Sequence, residues 1–356
     1  MPLSHAARSF VGNVQVLRFA AAFLVLLGHA EYEMVSRQAG FAPLGPLGFI
    51  DWGLGVDVFF VISGYIMYYI MRDGFGKSGV PLEFLRRRLV RVVPLYWIFT
   101  TLMLLAIALA GSRINNNGIQ TVHVIASYLF IPWPRSDGEV FPMLSVGWTL
   151  NYEMLFYLAF AIALLFSRRV ALSLLVGFFC LLIIAAAMVP DNWWPVKFWG
   201  NAIIGEFLLG IALAAVFVSG FRIGMASYVL IALGLVLALI FFQTGSYETV
   251  TRLITGGIPA VLIASGFILR RSDIAPKAWM RPLTIGGDAS YALYLSHPFS
   301  INLTAVVWGR LFGGISWGFF CAAVVVSIVV SVAAHLFVEK PVLGLLNRGV
   351  SRTVPA

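Results

Sequence analysis

From Val16 to Ala30 the chain reads Val-Leu-Arg18-Phe-Ala-Ala-Ala-Phe-Leu-Val-Leu-Leu-Gly-His29-Ala, a helical pattern that is apolar on every side except at two positions. A helix apolar all round belongs either in the core of a large protein or in lipid. Composition decides for lipid. Of 356 residues, 60% are hydrophobic and 11% charged, against roughly 45–50% and 25% in soluble domains. So much apolar side chain would overfill one core and leave large patches facing water. The run after Arg18 lacks a small-x-small cleavage site followed by polar chain, so it is expected to be retained as a first membrane span.

Working outward, apolar windows bounded by charge, Gly or Pro recur near 14–33, 52–71, 93–110, 147–166, 170–188, 200–219, 226–243, 252–269, 284–308 and 315–338. A span needs about 20 residues. The expected fold is therefore an all-α polytopic membrane helical bundle of about ten transmembrane helices, a single membrane-embedded domain over 1–356 with no soluble domain. The stretch 121–131 is apolar but too short to span, and reads as an interfacial or re-entrant segment within a long extracytoplasmic loop, 111–146. Connections of that length are usually functional, and Pro132, Trp133, Pro134 and Pro142 suit a rigid interfacial lid.

Lysine and arginine set the orientation. With a cytoplasmic N-terminus, 17 of the 24 basic residues fall on the cytoplasmic side and six on the other, with Arg18 inside a span. That bias supports cytoplasmic N- and C-termini and an even number of spans. It also accounts for the net charge of +9 without nucleic acid. Cys180 and Cys321 both lie in apolar runs and build neither a disulfide framework nor a metal-ligand cluster. No metal site is expected.

A charged group at the centre of a span costs at least about 2.5–3.5 kcal/mol, so each needs a partner or a purpose. Arg18 and His29 are eleven residues apart, about 1,100° of helical rotation, which puts them on one face about 16 Å apart. Arg18 could simply snorkel to the interface. His29, flanked by Leu27, Gly28 and Ala30, has little structural use and suits a proton acceptor, with Glu33 one turn further on to orient or charge-stabilise it. Glu153 sits about one and a half turns into the fourth span, near Asn151, Tyr152 and Tyr157. In the ninth, Ser290, Tyr294 and His297 share a face just before Pro298. Asp57 and Glu206 complete the set; either could only pair with a neighbouring span, the expectation for Glu206. His123 and His335 are expected at interfaces. Arg86, Arg87, Arg88 and Arg91 lead towards Pro94, and a helix started by that proline would add free amides to a phosphate site.

Five segments together resemble the acyltransferase-3 family of integral membrane O-acyltransferases. They are the Arg18-x10-His29 pair, Gly55-Val-Asp57-Val-Phe-Phe-Val-Ile-Ser63-Gly-Tyr65, Arg88-x-x-Arg91 before Pro94, Trp148-Thr-Leu-Asn-Tyr-Glu153-Met-Leu-Phe-Tyr157 and Ser290-Tyr-Ala-Leu-Tyr294-Leu-Ser-His297-Pro298. They occur in order over nearly the whole chain, which is similar to the exopolysaccharide-modifying branch. The fourth segment departs from the commoner form, which carries Ser and a second acidic residue around the glutamate, and so does not support a paired-carboxylate role.

The resemblance implies an acyl group, acetyl or succinyl, moved from a cytoplasmic acyl-coenzyme A to a hydroxyl of an exopolysaccharide or other envelope glycan on the far side. Coenzyme A, most simply as acetyl-coenzyme A, would be a donor substrate, with no permanently bound cofactor. His29, Glu153 and His297 would be catalytic. Arg18, Arg88, Arg91, Glu33, Asp57 and Tyr294 would bind substrates. The partners implied are a free or lipid-linked glycan, the bilayer and polysaccharide-synthesis machinery, in the bacterial cytoplasmic membrane. The competing reading is a transporter or flippase of a polar envelope intermediate, with Arg18, His29 and His297 lining its path.

Overall fold

The computed structural model describes residues 5–37, 51–110, 120–245, 251–271 and 280–347. Arg113, Lys277, Arg348, Arg352 and the first part of the 111–146 loop lie outside them. Among the described residues there is no β-strand, only an isolated bridge between Ile223 and Arg270, and the chain is an all-α polytopic membrane bundle.

The helices are α1 (His5–Arg37), α2 (Leu54–Met71), α3 (Val80–Ala110), α4 (Thr121–Tyr128), α5 (Trp148–Ala163), α6 (Arg168–Met188) and α7 (Trp194–Trp199). There follow α8 (Gly205–Val218), α9 (Ala226–Gln243), α10 (Ile258–Ile268), α11 (Arg281–Asp288), α12 (Ser290–Phe312), α13 (Trp317–Ala334) and α14 (Lys340–Asn347). Each of the ten expected runs is largely helical, the ninth being shared by α11 and α12. Six helices among the described residues are long and apolar enough to cross a membrane by length and composition. The others are shorter, or, like α12, carry the polar residues that lower local hydropathy.

Helix α2 is the centre, packed on α1, α8 and α10. Lipid gives helices no hydrophobic reason to associate, so close packing must do it. The α2–α8 pair achieves this with reciprocal glycines: a Cβ on Gly64 would meet the Phe207 carbonyl oxygen at 2.0 Å, and one on Gly210 the Val61 oxygen at 2.1 Å. The rings of Phe60, Phe207 and Phe156 stack in series, with centroids 4.7 and 4.3 Å apart, and tie α2 through α8 to α5. That stack fixes the level at which α2 and α5 present side chains to each other. At the periphery α6 buries only Ala171, Leu175, Phe179 and Ala186, one narrow stripe, and turns the rest of its apolar surface outward.

Two boundaries differ from expectation. Helix α3 begins at Val80 and runs straight through Pro94, so Arg86–Arg91 lie inside a helix and Pro94 exposes no free N-terminal amides. A spanning helix tolerates an internal proline when neighbours re-satisfy the freed carbonyl. The ninth run is divided at Ala289 into α11 and α12, with Pro298 inside α12. The 121–131 segment forms α4, which is pinned back on α3: Tyr96 and Trp97 donate to the Ser127 and Tyr128 carbonyls at 3.0 and 2.9 Å.

Candidate active site

A cavity of about 210 Å³ lies between α1, α2, α3, α5 and α12. Its apolar wall comes mostly from α2, including Phe59, Phe60, Ile66 and Met67. Its polar wall brings together Arg18, Arg88, Arg91 and Glu153, three guanidiniums to one carboxylate. On α3, Phe84, Arg88, Arg91 and Leu95 recur at helical spacing, and Phe84 and Leu95 are buried, so the two arginines occupy an inward-facing stripe. Arg86 and Arg87 point elsewhere and pair with Glu83 at 3.9 and 2.5 Å. A second space of about 380 Å³, lined by these four arginines and Glu83 with Leu343 and Asn347 of α14, adjoins the cavity, and Arg88 and Arg91 line both.

The donors in this region are largely unspent. Arg18 gives one hydrogen bond, Nη1 to Gln15 Oε1 at 3.1 Å. Arg88 Nε is buried without a hydrogen-bond partner among the described residues. Glu153 Oε1 accepts from Ser63 Oγ at 2.9 Å and from the Tyr157 hydroxyl. The carboxylate is thus oriented by α2 and by its own helix. An excess of cationic donors facing one cavity suits an anion such as phosphate.

Past Tyr294 the wall of α12 leads to a pair of imidazoles. Tyr294 lines the cavity, donates to the Val146 carbonyl at 2.7 Å and contacts Thr149 Oγ1 at 2.9 Å. Its ring centroid is 6.1 Å from that of His297, which in turn is 4.8 Å from that of His29. Each histidine places Nδ1 against the carbonyl four residues earlier in its own helix, His29 on Val25 at 2.9 Å and His297 on Leu293 at 3.0 Å. A carbonyl only accepts, so both Nδ1 atoms carry hydrogen in this arrangement and both neutral rings keep their basic lone pair on Nε2. The surroundings differ: His29 is exposed, whereas His297 is buried and its Nε2 has no protein partner among the described residues. Because α1 is continuous, the rise of about 16 Å from Arg18 to His29 holds, and both face α12.

Two expected site residues are placed elsewhere. Glu33 does not orient His29: its carboxylate pairs with Arg37, which also reaches Asn302 at 3.2 Å, and backbone does the orienting instead. Asp57 does not line the cavity. It is wholly buried and takes a two-pronged hydrogen-bonded ion pair from Arg252, Nε to Oδ1 at 3.0 Å and Nη2 to Oδ2 at 2.8 Å. Glu206 is buried beside it, with a Cβ on Gly256 or Gly257 meeting Asp57 or Glu206 respectively. Arg252 went unnoticed in the sequence because it reads as a loop cation 195 residues from its partner. Ser63 and Tyr157 lie in two of the five family-like segments, but nothing local in the sequence joins Ser63 to Glu153.

The two histidines expected at interfaces, His123 and His335, both have protein partners. His123 is buried and meets the Phe141 carbonyl through Nε2 at 2.7 Å; His335 is buried and meets Glu339 at 2.6 Å. No group of three or more His, Cys, Asp or Glu side chains among the described residues could hold a metal ion.

The family profile described as an acyltransferase domain, of the acyltransferase-3 type, matches residues 11–336. The exopolysaccharide production protein ExoZ of Rhizobium meliloti (strain 1021) is 35% identical over 314 residues, 85% of this chain and 92% of that protein. The O-acetyltransferase OatA of Staphylococcus aureus (strain NCTC 8325 / PS 47) is 25% identical over 278 residues, 68% of this chain but only 45% of that protein. A putative O-acetyltransferase of Staphylococcus aureus (strain COL) is 24% identical over 276 residues. No solved structure matches.

Proposed function

The chain belongs to the acyltransferase-3 family and is a membrane acyltransferase, and from that membership we propose that it O-acylates an exopolysaccharide or another envelope glycan. In this reading the bundle sits in the bacterial cytoplasmic membrane with the Arg88 end inside. The donor is a cytoplasmic acyl-coenzyme A carrying an acetyl or succinyl group. The acceptor, a free or lipid-linked glycan, presents its hydroxyl on the far side.

The observation that carries the reading is a cavity that adjoins a space lined by four arginines and whose wall residue Tyr294 packs on His297, which in turn packs on His29. Donor phosphates would sit against Arg88 and Arg91, and Arg88 Nε has a donor to give. Arg18 would bind a further donor oxygen. The pantetheine arm would lie along the apolar side of α2 and bring the thioester towards Tyr294. His29 Nε2 would remove the proton of the acceptor hydroxyl as its oxygen attacks the thioester carbonyl carbon. The C–O bond forms, the C–S bond breaks, and the departing coenzyme A thiolate takes up the proton. His297 would hold His29 in place by packing on its ring. Glu153, fixed by Ser63 and Tyr157 among three arginines, would keep those cations apart and aimed into the cavity.

Sealed membrane vesicles test this. Acyl-labelled coenzyme A supplied only on the Arg88 side should yield labelled glycan ester on the opposite side, and cells lacking the chain should lose the corresponding acyl mass increment. Glycan translocated without ester formation, with no coenzyme A binding, would select the transporter reading instead.

A further inference from the structure

Beside the cavity, at the His29 end, there is a separate vestibule of about 290 Å³ formed where α2, α5 and the turn before α8 begin. Val56 lines both spaces, so they share a wall. The backbone at Trp52–Gly53 forms another partition. Trp52 closes over α1 so tightly that a Cβ on Gly28, next to His29, would meet its Cβ at 2.5 Å, while Gly53 faces the vestibule.

The lining has a particular chemistry. Trp148 and Tyr152 meet nearly perpendicularly, at 87° and 5.9 Å. Tyr152 is buried, stacked on Phe198 at 4.5 Å and bound through its hydroxyl to the Phe198 carbonyl. It is therefore a fixed brace for the half-buried Trp148, whose indole N–H has no protein acceptor among the described residues. Across the space, Asn201 uses its side-chain oxygen to cap Ile203 N–H at 3.0 Å, which leaves the amide nitrogen to donate. Arg252 spends three of its five N–H donors on Asp57 and Asp51, and its side chain is 30% exposed. The two carboxylates outweigh its single charge, so it offers oriented donors without a free positive charge.

An aromatic platform opposite neutral-acting, rigid hydrogen-bond donors fits a flat ring with apolar C–H faces and a rim of hydroxyls. We infer that this vestibule binds an uncharged pyranose ring of the acceptor glycan, with Trp148 beneath the ring and Asn201 and Arg252 on its hydroxyls. The inference rests on the acceptor approaching from the His29 end, and it adds which surface selects it. A carboxylated sugar is disfavoured there because Asp51 and Asp57 already stand behind the guanidinium.

The test uses the full-length protein in detergent and unacylated oligosaccharides prepared from the exopolysaccharide of cells lacking the chain. Without donor, wild type should bind the oligosaccharide, Trp148→Ala should weaken binding at least about tenfold, and Trp148→Phe should stay within about threefold of wild type. In the transfer assay, Trp148→Ala and Asn201→Ala should raise the acceptor KM while leaving the donor KM unchanged. Equal binding by wild type and Trp148→Ala, no binding by wild type, or loss that Trp148→Phe shares in full would each overturn the assignment. If wild type forms no ester, the transferase reading fails separately, and the donor-free binding comparison still decides the vestibule.

Discussion

Two clusters of charge lie between the helices, and they differ in how their hydrogen-bonding capacity is used. Around the cavity, Arg18, Arg88 and Arg91 outnumber Glu153, Arg18 donates to Gln15, and Arg88 Nε has no hydrogen-bond partner among the described residues. Around α2, α8 and α10, the wholly buried Asp57 is closed off by a two-pronged pair from Arg252, which also reaches Asp51 and keeps two N–H donors, and Glu206 lies beside them with neither carboxylate oxygen hydrogen-bonded among the described residues. A buried charge whose partners are all protein is a structural tie, costly to break and of little net benefit to have. The three guanidiniums that outnumber Glu153 at the cavity are the charges proposed above to meet a ligand. Depth in the membrane alone therefore does not mark a binding group; an excess of unspent donors over acceptors at one cavity does.

Substitutions can break or sharpen that contrast. The largest effect is expected at His29, the general base of the proposed reaction: His29→Ala should reduce ester formation by about 100- to 10,000-fold, the range for losing a general base, with unchanged yield and melting temperature of the purified protein. Next comes the closed cluster. Asp57→Asn leaves the Arg252 charge without its main partner and should destabilise the bundle by about 3–5 kcal/mol, read as a lowered melting temperature in detergent. Protein that does fold should keep its donor KM, and a raised donor KM at normal stability would move Asp57 back among the binding groups.

A smaller effect of the opposite kind is expected from Arg88→Ala. Loss of hydrogen bonds to a charged ligand is worth about 1.5–3 kcal/mol, so the donor KM should rise by about 10- to 150-fold with little change in melting temperature. A stability loss with unaltered KM would erase the distinction between the two clusters. The smallest change belongs to Glu33→Gln. Its partner Arg37 is at the surface, 39% exposed, such pairs contribute about 0–1 kcal/mol, and activity should be nearly that of wild type. A large loss would return Glu33 to a role in tuning His29.

Much of the site was legible because a helix carries its own geometry. The eleven-residue interval between Arg18 and His29, and the shared face of Ser290, Tyr294 and His297, follow from 3.6 residues per turn, and neighbouring helices meet those faces. The inward stripe Phe84, Arg88, Arg91, Leu95 was equally available from spacing, but Pro94 reads as a helix start, and only the continuous α3 extends the period back through the arginines. Asp57 and Glu153, by contrast, look alike in the sequence. Each is a single carboxylate in an apolar run beside small or polar residues, and nothing local separates them.

The sequence by itself therefore determined the solvent, the helical class, and which residues on one helix look the same way. These follow from transfer free energies and from a fixed rotation per residue, both local properties of the chain. Tertiary structure alone decided which charges are spent. Arg252 reaches Asp57 across 195 positions and Ser63 reaches Glu153 across 90, through packing set by Gly64, Gly210 and the ring stack of Phe60, Phe207 and Phe156. Whether a buried donor keeps its hydrogen bond for a ligand depends on every helix that surrounds it, and that is settled only when the helices meet.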